Sequence, residues 1–85
     1  MSKKHQSTLE ALFALPSRAN IVWKGVESLL ISLGAKIEEG RGSRVRVLLN
    51  EEDAVFHRPY PQKEIDKGSV VSMRRFLENA GVKLC

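Results

Sequence analysis

Apolar residues recur along this chain with two periods, and the switch between them divides it. Leu9, Leu12 and Phe13 follow helical spacing, and Ser7-Thr8-Leu9-Glu10 matches a capping box in which Ser7 meets the third backbone N–H and Glu10 reaches back. Pro16 stops this short helix, and Ser17 to Asn20 form a loop. A second helix is predicted to begin between Asn20 and Trp23. Val22, Val26, Leu29, Leu30 and Leu33 line one stripe of it, with Lys24, Glu27 and Ser28 off the stripe. Gly34 stands at the left-handed C-cap position, and Gly25, costly inside a helix, signals close packing against a neighbour. Trp23 beside an apolar stripe reads as a core residue before it reads as a base-stacking one.

The period then falls to two. Ala35 to Glu39 predicts a strand with Ile37 inward, and Gly40-Arg41-Gly42-Ser43 a turn with two glycines free to take positive φ. Arg44 to Leu49 predicts a second strand, with Arg44 and Arg46 on one face and Val45, Val47 and Leu49 on the other. Asn50 to Asp53 predicts an acidic turn, and Ala54 to His57 or Arg58 a third strand, which Pro59 and Pro61 end. Helical spacing returns after Gly68-Ser69, the predicted turn and N-cap. Val70, Met73, Leu77 and Ala80 share a face with Phe76 beside them, Arg74, Arg75 and Glu78 lie elsewhere, and Gly81 closes the helix. The expected class is α+β in two layers, order α-α-β-β-β-α. An antiparallel meander buries one face under helices and leaves the other wet. Its α-β-β-β-α core has the order of the double-stranded RNA-binding fold. One domain is expected over residues 1–85, with 1–20 a basic tail and extra short helix and 21–85 the core.

Charge adds a direction to this frame. Fourteen Lys and Arg against ten Asp and Glu give a formal net charge of +4 and a pI of about 9.6, the balance expected of a small nucleic-acid binder. Acid collects at Glu38-Glu39 and Glu51-Glu52-Asp53, and base at Arg41 to Arg46, His57-Arg58 and Arg74-Arg75. The apolar runs are too short to cross a bilayer, and no apolar stretch follows the basic N terminus as a secretory signal requires, so a cytoplasmic protein is expected. The single cysteine, Cys85, forms neither an internal disulfide nor a cysteine zinc cluster, and a tail residue is the better reading of it.

From Trp23 to Val82 the chain resembles the HicA family of toxins from bacterial toxin–antitoxin pairs. The resemblance rests on Leu33-Gly34-Ala35, Gly42-Ser43 before the second strand, Pro59 after the third, Lys63-Glu64-Ile65 leading to Lys67-Gly68-Ser69, and Phe76-Leu77 with Ala80-Gly81-Val82. It implies a fold like the double-stranded RNA-binding domain, cleavage of messenger RNA without metal or organic cofactor, and inhibition by a HicB-type antitoxin. In that family the activity is attributed to a histidine directly after Gly-Ser. Here that position is Arg44, and a second family histidine, two residues after the proline, falls at Pro61. The alternative is a HicA-like module that binds RNA or antitoxin without cutting.

Metal-free RNA cleavage needs a base for the 2′-hydroxyl proton, an acid for the leaving oxygen, and cations for the phosphorane. Histidine suits the proton transfers because its ordinary pKa is about 6.5. His5 lies in the basic tail and is read as idle, which leaves His57. With Phe56 in the core, alternation turns His57 to the wet face beside Arg44 or Arg46; the competing reading is a strand-end histidine packed on Phe56 or Tyr60. Arg44, with Arg46 beside it, is the candidate transition-state cation, the competing reading being a solvated strand face paired with Glu38 or Glu51; Tyr60 is a candidate proton donor, or equally a rim aromatic. Arg41, Ser43, Arg44, Arg46, Arg58, Lys67, Arg74 and Arg75 are the expected RNA contacts, with Lys67 and the Ser69 N–H offering an anion site at a helix start. The arginine face is expected to lack compensation within the chain, so an acidic antitoxin surface is its natural cover.

Overall fold

The computed structural model describes residues 2–59 and 62–84. The chain runs α1 (Lys3–Phe13), β1 (Ile21–Val22), α2 (Trp23–Ser32), β2 (Lys36–Glu39), β3 (Arg44–Leu49), β4 (Glu52–His57), β5 (Glu64–Ile65) and α3 (Lys67–Asn79). β2, β3 and β4 form an antiparallel meander, so the α+β architecture with the order α-α-β-β-β-α holds. Two further strands, β1 and β5, pair antiparallel as a separate ribbon, Ile21 opposite Ile65 and Val22 opposite Glu64. Two-residue strands carry no period, and the linear pattern offers no sign of them.

The meander is asymmetric across its faces. Val45, Val47, Leu49 and Phe56 are buried, while Arg44, Arg46, Val55 and His57 are exposed. The helices supply the cover: Val26, Leu29 and Leu30 of α2 and Val70, Met73, Phe76 and Leu77 of α3 are buried, and the Phe76 ring meets Phe56 edge to face at 5.8 Å. Val22, assigned above to the α2 stripe, precedes the helix instead and is half-exposed in β1.

α1 begins earlier than Ser7. Its N-cap is Ser2, whose hydroxyl accepts from the His5 backbone N–H at 3.2 Å, so the capping box at Ser7 is not used as one. His5 is therefore helical, not part of an idle tail, and its Nε2 lies 2.8 Å from Ser28 Oγ on α2. Leu9 and Leu12 are fully buried against α2 and α3. The close packing signalled by Gly25 is this crossing: a Cβ there would lie 3.4 Å from Thr8 Oγ1 of α1.

β4 starts at Glu52, two residues before the expected Ala54, and helix ends and a turn supply further corrections. α3 is capped by Asp66, not Ser69; the Asp66 carboxylate accepts from the Ser69 N–H at 2.8 Å. α2 has no side-chain cap, and the Trp23 N–H instead donates to the Lys63 carbonyl at 2.9 Å across the β1–β5 ribbon. Both α2 and α3 end on a left-handed glycine, Gly34 at φ 91° and Gly81 at φ 86°, as expected. In the β2–β3 turn only Gly42 takes positive φ; Gly40 lies against the Arg44 side chain instead.

Candidate nucleic-acid interface

Register decides which side chains meet on the uncovered face. β3 and β4 pair with Arg44 opposite His57, Arg46 opposite Val55 and Leu48 opposite Asp53, and β2 adds Glu38 opposite Arg46. Paired residues point the same way. Arg44 and His57 are thus cross-strand neighbours, both exposed, at the end of the sheet nearest the Gly42-Ser43 turn. The Phe56 ring is inward and His57 outward, which is the wet-face alternative of the two sequence readings.

The two arginines of this face differ in their partners. Arg46 Nη2 donates to Asp53 Oδ2 at 2.7 Å, and its Nη1 lies 3.7 Å from Glu38 Oε1. The hydrogen bond and charge of Asp53 raise the Arg46 pKa still further above its ordinary value. Compensation inside the chain therefore exists, against the uncompensated face expected and partly as the competing pairing with Glu38 had it, and it falls on Arg46. Among the described residues no ion pair engages Arg44.

Arg58, expected among the RNA contacts, is engaged within the chain. Its guanidinium is half-buried and donates to Glu39 Oε1 and, at 3.3 Å, to Glu27 Oε2. Glu27 also accepts the Trp23 indole N–H at 3.2 Å, and the Arg58 backbone N–H donates to the Ser43 carbonyl at 2.8 Å. Hydrogen bonding to Glu39 is the main reason the Arg58 pKa is raised. Arg58 thus ties the segment after β4 to α2 and the end of β2 through its guanidinium, and to Ser43 of the β2–β3 turn through its backbone N–H. Glu27 and Glu39 lie 31 and 19 residues from Arg58, and no local pattern announces such a partner.

The other expected contacts scatter. Arg41 and Ser43 are exposed in the β2–β3 turn, next to Arg44. Lys67 is exposed on the first residue of α3, but the neighbouring Ser69 N–H is taken by the Asp66 carboxylate, so the expected anion site there is filled by the chain's own anion. That hydrogen bond also lowers the Asp66 pKa below the usual carboxylate value. Arg74 is half-buried, and its Nη1 points at the Ala14 carbonyl, 3.4 Å away, on the α1 side of α3. Arg75 is exposed on the same helix. Tyr60 and Pro61 lie outside the described residues. Around His57 the surface falls into a shallow groove shared with Asp66 and Ser69 and continuing over Arg58, Pro59 and Gln62.

A three-stranded antiparallel meander with its helices on one face, in the order α-α-β-β-β-α, defines a fold of the double-stranded RNA-binding type. Within that class, the family model described as "HicA toxin of bacterial toxin-antitoxin" matches residues 23–82. The chain belongs to the HicA toxin family, and so to the toxin side of a toxin–antitoxin pair, with α1 and β1 outside the matched core. Neither the curated proteins nor the solved structures contain a match to it. No helix among the described residues is long and apolar enough to cross a membrane.

Proposed function

We propose that this toxin cleaves messenger RNA, in the cytoplasm and without a metal, through His57 and Arg44 on the uncovered face of the sheet. The observation that carries the reading is the β3–β4 register, which sets Arg44 directly opposite His57 with both side chains exposed. In this reaction the His57 imidazole takes the 2′-hydroxyl proton as that oxygen attacks the adjacent phosphorus. The Arg44 guanidinium donates to the phosphorane oxygens as their charge grows. The 5′ oxygen leaves with a proton, for which Tyr60 is the candidate donor, and the products are a 2′,3′-cyclic phosphate and a 5′ hydroxyl. Arg41 and Ser43 flank the pair and hold neighbouring phosphates.

Arg44 stands where the family resemblance puts a histidine, and His57 takes over the proton transfer from the opposite strand. A HicB-type antitoxin inhibits by covering Arg44 and His57, and Arg44, which lacks an ion-pair partner among the described residues, is the cation it meets. The competing reading, a module that binds RNA or antitoxin without cutting, is favoured by the same substitution at Arg44. Incubation with single-stranded RNA separates the two. Wild type is expected to release 2′,3′-cyclic phosphate ends, and His57→Ala to cut on the order of a hundredfold more slowly. RNA left intact by wild type supports the binding module.

A further inference from the structure

A second hollow of about 490 Å³ adjoins the His57 groove. The β1–β5 ribbon and the Trp23 N–H to Lys63 carbonyl bond hold its two walls together, the start of α2 and the segment before β5. Val22, Trp23 and Pro59 form the apolar lining, and Lys24, Gln62 and Lys63, all exposed, stand around it. Among the described residues, the two polar side-chain groups set into the walls are already engaged. The Trp23 indole N–H goes to Glu27, and the Arg58 guanidinium to Glu27 and Glu39. What the hollow presents is therefore mainly the hydrocarbon of Val22 and Pro59, with Trp23 itself only 6% exposed, and two lysines outside, neither held in an ion pair among the described residues.

Apolar surface beside ammonium groups complements a nucleotide, an apolar-faced ring joined to a phosphate. Position narrows the choice further. The hollow shares Arg58, Pro59 and Gln62 with the groove that contains His57, and Arg58 and Pro59 with the depression at Gly42 and Ser43. A strand lying across His57 passes over Pro59 and reaches this hollow next. We propose that it is a base subsite, taking one unpaired base of the RNA strand with the flanking phosphate at Lys24 and Lys63. The inference rests on the RNA-cleaving reading above and adds a selectivity: a base locked in a duplex cannot enter, so substrate must be single-stranded on that side of the cut.

Trp23 is the only tryptophan of the chain, so its emission reports on the hollow directly. The probe is a fluorescently labelled oligoribonucleotide, 2′-O-methylated throughout so that no 2′-hydroxyl remains to attack. Label anisotropy reads binding and tryptophan emission reads occupancy. Both are expected to change together on titration. The same backbone without bases is expected to bind roughly tenfold more weakly, without the change in tryptophan emission. Lys24→Glu with Lys63→Glu, on exposed positions that leave the core intact, is expected to weaken binding by a similar factor. A rise in anisotropy with unchanged tryptophan emission, or equal binding of the base-free strand, overturns the subsite and leaves the RNA reading standing. No binding to any RNA at low salt overturns both. Emission that responds to the antitoxin and not to RNA assigns the hollow to the protein partner and overturns the proposal.

Discussion

Arg44 and Arg46 sit two residues apart on one strand and face the same way, yet their surroundings differ. Asp53 and Glu38 hold Arg46, whereas no carboxylate among the described residues pairs with Arg44. A phosphate must displace Asp53 to reach Arg46, and nothing comparable stands before Arg44. Unequal losses are therefore expected. Arg44→Ala should reduce the slope of log affinity against log salt for single-stranded RNA by about 0.7, the contribution of one phosphate contact, while Arg46→Ala should change it far less. Affinities measured from low to moderate salt give both slopes, and equal slopes for the two variants would refute the distinction. The alternation that separates Arg44 from Val45, and His57 from Phe56, was legible residue by residue. The pairing of Arg46 with Asp53 was not, because it depends on strand register, and neither was the Arg58 link to Glu27 and Glu39, which joins distant segments.

Among the elements, the β3–β4 hairpin shows a local conflict. Asn50 and Glu51 both adopt positive φ, 50° and 70°, in a two-residue turn that favours glycine at its second position. Asn50 tolerates this, and its Nδ2 donates to the Ala80 carbonyl at 2.7 Å, steadying the end of α3. Glu51 has no such reward in the geometry. Glu51→Gly should raise stability by about 1 kcal/mol in urea unfolding; a loss of stability would contradict this view of the turn. At the other end of α3, the Asp66 cap predicts a pH effect. Its carboxylate pKa is lower in the folded than in the unfolded chain, so the cap stabilises above the ordinary value of about 3.9 and is lost as pH falls through the depressed one. Asp66→Asn should flatten the acid limb of a stability–pH profile and leave the neutral range nearly unchanged. Sequence placed α3 correctly but its cap three residues late, since Gly68-Ser69 is as good a start signal as Asp66. Ser7 misled in the same way, because a well-formed capping box outweighed the earlier Ser2. Long apolar stripes decide that a helix exists, and single polar residues decide where it starts.

For the whole molecule, the part outside the family match is built into the core. Leu9 and Leu12 of α1 are as buried as the core residues of α2 and α3, and α1 crosses α2 at Gly25, where a Cβ would already meet Thr8 Oγ1 at 3.4 Å. Leu12→Ala should therefore lower the stability of the entire domain by about 2–4 kcal/mol, in one cooperative transition. If α1 were a detachable appendage, the main unfolding midpoint would not move. The sheet faces away from this helical side, so the same variant should leave RNA affinity unchanged while the chain is folded. Two layers, their order and the identity of the wet face were all implicit in the periods of the sequence. The ribbon of β1 and β5, which shapes the second hollow, was hidden because two residues show no alternation.

The central claim is that His57 and Arg44 act on one phosphodiester from opposite strands. Single-turnover cleavage of single-stranded RNA by wild type, His57→Ala, Arg44→Ala and the double variant tests it most directly. Groups acting on the same transition state are strongly non-additive, so the double variant is expected to be scarcely slower than His57→Ala alone. Cleavage by His57→Ala at the wild-type rate, or losses that simply multiply, would contradict it.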